Sequence, residues 1–131
     1  MQVEALDHIN IIASDLAKSA AFYGAVLGLD ESPPPSPLTT DQARWMRDSG
    51  GRIMIHLNSR DTPRAFPRDM SPGPTGALHH VALRCTGHDE MVARLEGLTL
   101  DYQCNHIESI GLRQIFVSDP DQVLLELNFY A

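Results

Sequence analysis

The sequence predicts an α+β fold in which one structural module occurs twice. The phrase Leu-Asp-His-Ile-Asn-Ile at residues 6–11 is echoed by Leu-His-His-Val-Ala-Leu at residues 78–83. Each half also ends with a related motif, Ile-His-Leu-Asn at residues 55–58 and Leu-Glu-Leu-Asn at residues 125–128. Between opening and closing phrases, the apolar spacing predicts a helix and then strands. Two βαβββ modules are therefore expected.

Length and charge limit the possible classes of protein. The 131 residues suit a single domain, with module one at about 4–58, a linker at about 59–76 and module two at about 77–130. The net charge of -7 argues against binding to nucleic acids or to anionic membrane surfaces, which require clustered basic residues. No apolar run reaches the roughly 20 residues of a membrane span. The first residues lack the features of a signal peptide, and both cysteines suit a reducing compartment, so we expect a cytoplasmic protein.

Module one begins with a predicted strand at residues 4–13. Alternation places His8 and Asn10 on one face of this strand. A Ser-Asp pair suited to capping precedes a helix predicted at residues 15–27, and Gly28 stands where a C-cap glycine belongs. The helix is followed by a proline-rich segment and a hairpin signal.

The rest of module one is predicted to be an extended edge and a hairpin. Residues 32–37 contain four prolines, which are excluded from a helix interior or a central strand. Residues 45–47 and 52–57 flank Asp-Ser-Gly-Gly, a hairpin signal. Within the second of these strands His56 is predicted to share a face with Met54 and Asn58.

The linker carries Arg60, Arg64 and Arg68 at four-residue spacing among prolines and glycines. A solvated connection is the simpler interpretation. The alternative is that one of these arginines closes a pocket over an anionic substrate.

Module two repeats the order of elements. A strand is predicted at residues 77–85, with His80 and Ala82 on one face, and a helix at residues 89–98. Three further strands are predicted at residues 101–104, 112–118 and 122–129, the last two joined by a turn at Asp-Pro-Asp.

Alignment of the two modules places four possible metal ligands at equivalent points: His8, His56, His80 and Glu126. A single histidine within a strand is more often a hydrogen-bonded core residue than a ligand. Four such positions in an internal repeat favour a divalent metal site instead, and an unpaired Glu126 between leucines would be costly. Three imidazoles and one carboxylate suit Zn, Ni, Fe, Mn or Co better than Ca or Mg.

The other histidines receive different predictions. Alternation turns His79 away from His80 and predicts an indirect or structural role. His88 and His106 are predicted to lie on the surface.

Four residues are predicted to contact a substrate. Arg113 is the arginine favoured for binding a substrate anion, and an exposed charge without such a role is the alternative. The other three are expected on the cleft faces: Asn10, Asn128 and Trp45.

The sequence resembles the vicinal oxygen chelate superfamily, which includes glyoxalases, bleomycin-resistance proteins and extradiol dioxygenases. The resemblance rests on Leu-Asp-His-Ile at 6–9, Val-Leu-Gly-Leu at 26–29, Gly-Ala-Leu-His-His-Val-Ala at 76–82, Phe-Val-Ser-Asp-Pro-Asp at 116–121 and Leu-Glu-Leu at 125–127. It implies a half-open, eight-stranded barrel-like sheet around a divalent metal. It also implies a homodimer whose cleft is shared between chains.

The resemblance assigns the metal ligands to His8, His56, His80 and Glu126. His56 stands where bacterial glyoxalase I enzymes usually have Glu and methylmalonyl-CoA epimerases have Gln. The function implied is a metal-dependent, glyoxalase-like lyase or isomerase acting on a small oxygenated substrate, with Glu126 as ligand or catalytic base. One alternative is an extradiol-type dioxygenase with Fe(II) on His8, His80 and Glu126.

Two further alternatives stay open at this point. Fosfomycin-type thiol transferases use a similar set of ligands. A drug-sequestering protein of the bleomycin-resistance type is not an enzyme, and the net charge of -7 would suit a cationic drug.

Overall fold

The computed structural model describes residues 1–61 and 74–131. The chain divides into two compact units, Met1–Phe66 and Pro67–Ala131, which we call the N-terminal and C-terminal units. Each unit contains a strand, a helix and three further strands in that order. The predicted α+β class with two βαβββ modules is therefore confirmed. Most of the predicted linker, including Arg64 and Arg68, lies outside the described residues.

The N-terminal unit contains one mixed four-stranded sheet in the order β1-β4-β3-β2. Strand β1 runs parallel to β4, and the other neighbours are antiparallel. The elements are β1 (Ile9–Ala13), α1 (Leu16–Leu27), β2 (Asp30–Ser32), β3 (Ala43–Arg47) and β4 (Ile53–Ser59).

Helix α1 begins and ends as the sequence predicts. The Asp15 carboxylate accepts a hydrogen bond of 3.0 Å from the backbone N–H of Lys18, which satisfies a donor of the first turn. Gly28 ends the helix with φ 67°, a left-handed conformation that costs glycine little. The buried face of the helix includes Tyr23, which is fully buried.

Two predicted boundaries in the N-terminal unit need correction. β1 begins at Ile9 and not at residue 4, and Leu6 before it is 73% exposed. The edge strand β2 ends at Ser32, where the prolines begin, because proline has no N–H to donate to a sheet. The hairpin around residues 48–51 is confirmed by the pairing of β3 with β4.

The C-terminal unit has a second mixed sheet, in the order β5-β8-β7-β6. Strand β5 is parallel to β8, and the other pairs are antiparallel. The elements are β5 (Val81–Arg84), α2 (His88–Gly97), β6 (Gln103–Ile107), a 3-10 helix (Glu108–Ile110), β7 (Leu112–Ser118) and β8 (Leu124–Tyr130). Neither this sheet nor that of the N-terminal unit is closed.

Alternation along β8 separates the core from the polar face. Leu125 and Leu127 are fully buried, as is Ile115 of the neighbouring β7. Burial of one such side chain contributes about 1.5–3 kcal/mol. Glu126 and Asn128 alternate with these leucines and therefore lie on the other face.

The strand ends of the C-terminal unit also differ from the prediction. β5 begins at Val81 rather than residue 77, and β6 extends to Ile107 rather than ending at residue 104. The last strand begins at Leu124 because the turn occupies residue 122, where φ is 65°. The Asp119 carboxylate closes this turn by accepting two backbone hydrogen bonds of 2.8 Å. Within the described residues, no helix has the length and apolar character needed to cross a membrane.

Candidate metal centre

The first pair of possible ligands lies in the N-terminal unit. His8 immediately precedes β1, and two residues later Asn10 lies opposite His56 of β4. The imidazoles of His8 and His56 are stacked, with 3.7 Å between ring centroids and 16° between planes. The register and the stacking therefore place His8 and His56 on one face of the N-terminal sheet.

Asp7 orients the first of these rings. Its Oδ2 lies 2.5 Å from Nδ1 of His8. This hydrogen bond is the main reason that the pKa of Asp7 lies below its usual value. An Nδ1–H directed at a carboxylate leaves Nε2 of His8 as the nitrogen with a free lone pair, the form that a metal needs.

Trp45 covers the other side of His56. Trp45 lies opposite His56 in the β3–β4 ladder, and the two rings are parallel, with centroids 4.0 Å apart and 5° between planes. Burial lowers the pKa of His56, and the proximity of His8 lowers it further. The neutral imidazole that results is the form able to bind a metal.

The second pair of possible ligands lies in the C-terminal unit and has the same register. His80 precedes β5, and two residues later Ala82 lies opposite Glu126 of β8. Nε2 of His80 lies 2.9 Å from Oε2 of Glu126, and their side chains are 37% and 13% exposed. The internal repeat therefore includes the strand register. In each unit this register places the two possible ligands close together.

Gln114 joins this pair and was not singled out by the sequence analysis. Its Nε2 donates hydrogen bonds of 2.7 Å to Oε1 of Glu126 and 3.1 Å to Oδ1 of Asn128. Its own Oε1 accepts a hydrogen bond of 2.8 Å from Nδ2 of Asn105. The signal that could have identified it is alternation along β7, because Phe116 pairs with Glu126 and Gln114 lies on the same face.

Arg113 lies on the opposite face of β7 from Gln114. Its Nη2 donates a hydrogen bond of 2.8 Å to Oδ1 of Asp89 in α2. The pKa of Asp89 is lowered first by its hydrogen bond with His88 and then by Arg113. This position favours the alternative of a surface charge, and a role of Arg113 in binding a substrate stays a prediction.

The remaining predicted substrate contacts lie on the faces that carry the possible ligands. Asn10 is exposed beside His56, and Trp45 stacks on that ring. Asn128 already accepts a hydrogen bond from Gln114. Their contact with a substrate stays a prediction.

Two of the other three histidines differ from their predictions. His79 does not turn away from His80, since their Nδ1 atoms are 3.0 Å apart. The strand begins only at Val81, so strict alternation does not extend to these residues. The His88 side chain is only 10% exposed and packs edge-on against Phe129, so the surface prediction was wrong. His106 is exposed, as predicted.

A cavity of about 750 Å³ lies next to the first pair, within the N-terminal unit. Trp45 and His56 form part of its wall, together with the N-terminal segment and the β3–β4 turn. Its charged lining residues are Glu4, Asp7 and Arg52. An aromatic surface beside a possible ligand can hold a small organic molecule.

The four residues have the chemistry required for a transition-metal site. Imidazole nitrogen and one carboxylate oxygen suit Zn, Ni, Fe, Mn or Co. Among residues 1–61 and 74–131, no three His, Cys, Asp or Glu side chains converge in a way that could hold a metal ion. The possible ligands come instead as two pairs, one in each unit.

Known proteins resemble this chain over nearly its whole length. The chain is 31% identical over 128 residues to the uncharacterized protein YaeR of Escherichia coli strain K12, with 92% of each sequence covered. Its fold resembles that of lactoylglutathione lyase from Agrobacterium tumefaciens, with TM-score 0.67, 21% identity and coverage of 98% of this chain and 96% of that one. It also resembles the fosfomycin resistance protein FosX from Listeria monocytogenes, with TM-score 0.69, 20% identity and coverage of 99% and 96%.

A family-level match covers both modules. The sequence profile of the Glyoxalase/Bleomycin resistance protein/Dioxygenase superfamily matches residues 5–127. The chain therefore belongs to the Glyoxalase/Bleomycin resistance protein/Dioxygenase superfamily.

Proposed function

We propose that this protein is a metal-dependent, glyoxalase-like enzyme of the lyase or isomerase type. Its ligands are His8, His56, His80 and Glu126, and its substrate is a small oxygenated molecule. The observation that carries the proposal is the equal register of the two pairs. In the N-terminal unit, Asn10 lies opposite His56, and His8 stands two residues before Asn10. In the C-terminal unit, Ala82 lies opposite Glu126, and His80 stands two residues before Ala82.

The donor set defines the chemistry expected of the site. A divalent ion with three neutral imidazoles and one carboxylate keeps a net positive charge and supplies Lewis-acid chemistry to substrate oxygens. The protein residues have separate tasks. Asp7 orients His8, Trp45 covers one face of His56, and Glu126 is the carboxylate available to accept a proton from the substrate.

The likeness to two structures supports a reaction on a small molecule. One is named a lactoylglutathione lyase and the other a fosfomycin resistance protein. His56 is an imidazole where the glyoxalase I pattern has a second carboxylate, so we propose the reaction type and not that particular substrate. We further propose a homodimer with a shared cleft, acting in the cytoplasm, where the free Cys85 and Cys104 suit a reducing compartment.

Metal analysis of the purified protein tests the proposal. We expect about one divalent ion per chain, removed by a chelator and restored by titration with Zn²⁺, Ni²⁺, Co²⁺, Mn²⁺ or Fe²⁺. Alanine at each proposed ligand should weaken this binding, whereas His106→Ala should not, because His106 is an exposed histidine on β6.

The identity of the metal separates the alternatives. Zinc or nickel favours the lyase and isomerase group, and iron favours the dioxygenase. A folded protein with no affinity for any of these ions would overturn the proposal and favour a drug-sequestering protein.

A further inference from the structure

Gln114 is a buried polar side chain on the face that carries His80 and Glu126. It is only 7% exposed, and among the described residues the other buried polar side chains are Ser19 and Asp119. A buried amide is tolerated when its hydrogen bonds are made, because each missing partner costs about 1–3 kcal/mol. The hydrogen bonds of the Gln114 amide therefore indicate why a polar side chain is tolerated at this buried position.

The hydrogen bonds fix the orientation of the Gln114 amide. An ionised carboxylate only accepts hydrogen bonds, so the Gln114 nitrogen faces Glu126 of β8 and the Gln114 oxygen accepts from Nδ2 of Asn105 at 2.8 Å. That nitrogen donates to Oε1 of Glu126 at 2.7 Å and to Oδ1 of Asn128 at 3.1 Å. Both acceptors lie on the neighbouring strand, and both protons of the amide are used.

The two carboxylate oxygens of Glu126 consequently have different surroundings. Oε1 is held by Gln114, whereas Oε2 lies 2.9 Å from Nε2 of His80. A donor on Oε1 restricts rotation of a side chain that otherwise has several rotamers.

We propose that Gln114 is a positioning residue that holds Glu126 ready to bind the metal through Oε2. This role rests on the proposed function. Partners that orient a metal ligand in this way commonly account for about 10- to 100-fold in metal affinity. Gln114 is only 7% exposed, so its proposed role acts through Glu126 and not through contact with the substrate.

Metal affinity measured on purified protein tests this role without any knowledge of the substrate. We expect Gln114→Met, which keeps the size of the side chain but has no amide, to weaken Zn²⁺ binding by about 10- to 100-fold in calorimetric titration. Gln103→Met is the matched control, because Gln103 is an exposed glutamine on β6. It should leave the affinity unchanged.

A double-mutant cycle shows whether the effect acts through Glu126. In the Glu126→Ala background, Gln114→Met should cause no further loss of Zn²⁺ affinity. An equal loss in both backgrounds would assign Gln114 a general structural role and overturn the proposal.

A second variant is available if Gln114→Met does not fold. Asn105→Ala removes the donor to the Gln114 oxygen from an exposed residue. Weaker Zn²⁺ binding by the folded Asn105→Ala protein supports the role, and unchanged binding overturns it. A wild-type protein that binds none of the five metals would remove the proposed function and this role with it. A wild-type protein and a Gln114→Met variant that bind metal equally would remove only the role of Gln114.

Discussion

The indole of Trp45 lies parallel to the imidazole of His56, with ring centroids 4.0 Å apart and only 5° between the planes. The chain contains one tryptophan, so its fluorescence reports on a single place in the protein. Because Trp45 stacks on a proposed metal ligand, its fluorescence should respond to events at His56.

Metal binding is expected to change the emission of Trp45. When a divalent ion withdraws electron density from His56, the ring stacked on the indole changes its charge and its quenching of the excited state. Titration of the chelator-treated protein with Zn²⁺ should therefore shift the intensity, with a midpoint equal to that from calorimetry. His106→Ala should retain the signal, and His56→Ala should lose it. An unchanged emission while calorimetry records binding would show that His56 is not a ligand.

The stability of the metal-free protein is expected to fall as the pH decreases through the range in which His56 titrates. Burial holds the pKa of His56 below its ordinary value of 6.5, so the unfolded chain binds the proton more readily than the folded one. The contribution of neutral His56 is thus complete above about pH 6.5 and is lost as the pH falls toward the folded pKa. Urea unfolding between about pH 7.5 and 5 measures this loss.

The matched variants separate His56 from the other histidines. His56→Gln should flatten the dependence of unfolding free energy on pH, whereas His106→Gln at an exposed position should leave its slope unchanged. A slope that is equal in wild type and His56→Gln would contradict the lowered pKa.

The repeat and the helix ends could be predicted because their signals are local in the sequence. Asp15 and Gly28 act at α1 through hydrogen bonding and backbone conformation that each residue type favours by itself. The first residues of the strands were predicted less accurately, because a residue joins a strand only where a neighbouring strand pairs with it. Ile9 and Val81 are the first paired residues of their strands, and the residues before them have apolar patterns but no ladder.

The candidate site shows the same contrast between features with a local signal and features that depend on strand pairing. Alternation alone predicted that His56 shares a face with its neighbours at 54 and 58. The contact of Gln114 with Glu126 depends on which face of β7 carries the side chains next to Glu126, and the pairing of Phe116 with Glu126 decides this. The sequence predicted a role for Arg113 toward a substrate anion and none for Gln114, whereas the structure places Gln114 in contact with Glu126. Alternation groups Gln114 with Phe116, but the register of β7 against β8 is a long-range pairing and leaves no local signal.

Truncation of Leu95 is expected to destabilise the protein far more than truncation of Leu98. Leu95 of α2 is fully buried and Leu98, at the end of the same helix, is 44% exposed. Leu95→Ala should lower the free energy of unfolding by about 2–5 kcal/mol, since it removes apolar contacts and leaves a cavity. Leu98→Ala should change it by about 0.5 kcal/mol or less. Urea denaturation followed by circular dichroism measures both, and equal losses would contradict the packing of α2.

Mixing two inactive variants tests whether the proposed cleft is shared between chains. His8→Ala removes a proposed ligand from the N-terminal unit, and Glu126→Ala removes a proposed ligand from the C-terminal unit. In a symmetric dimer with shared clefts, a mixed dimer combines the intact N-terminal unit of one chain with the intact C-terminal unit of the other. Unfolding and refolding the two variants together at equal amounts should then restore about a quarter of the wild-type high-affinity metal sites.

The control for this experiment uses two variants of the same unit. His80→Ala and Glu126→Ala both damage the C-terminal unit, so no mixed dimer of these two variants contains an intact set of ligands. They should restore nothing. If His8→Ala and Glu126→Ala also restore nothing while calorimetry finds wild-type protein with one metal per chain, all four ligands must come from the same chain, because only then is every site in the mixture damaged.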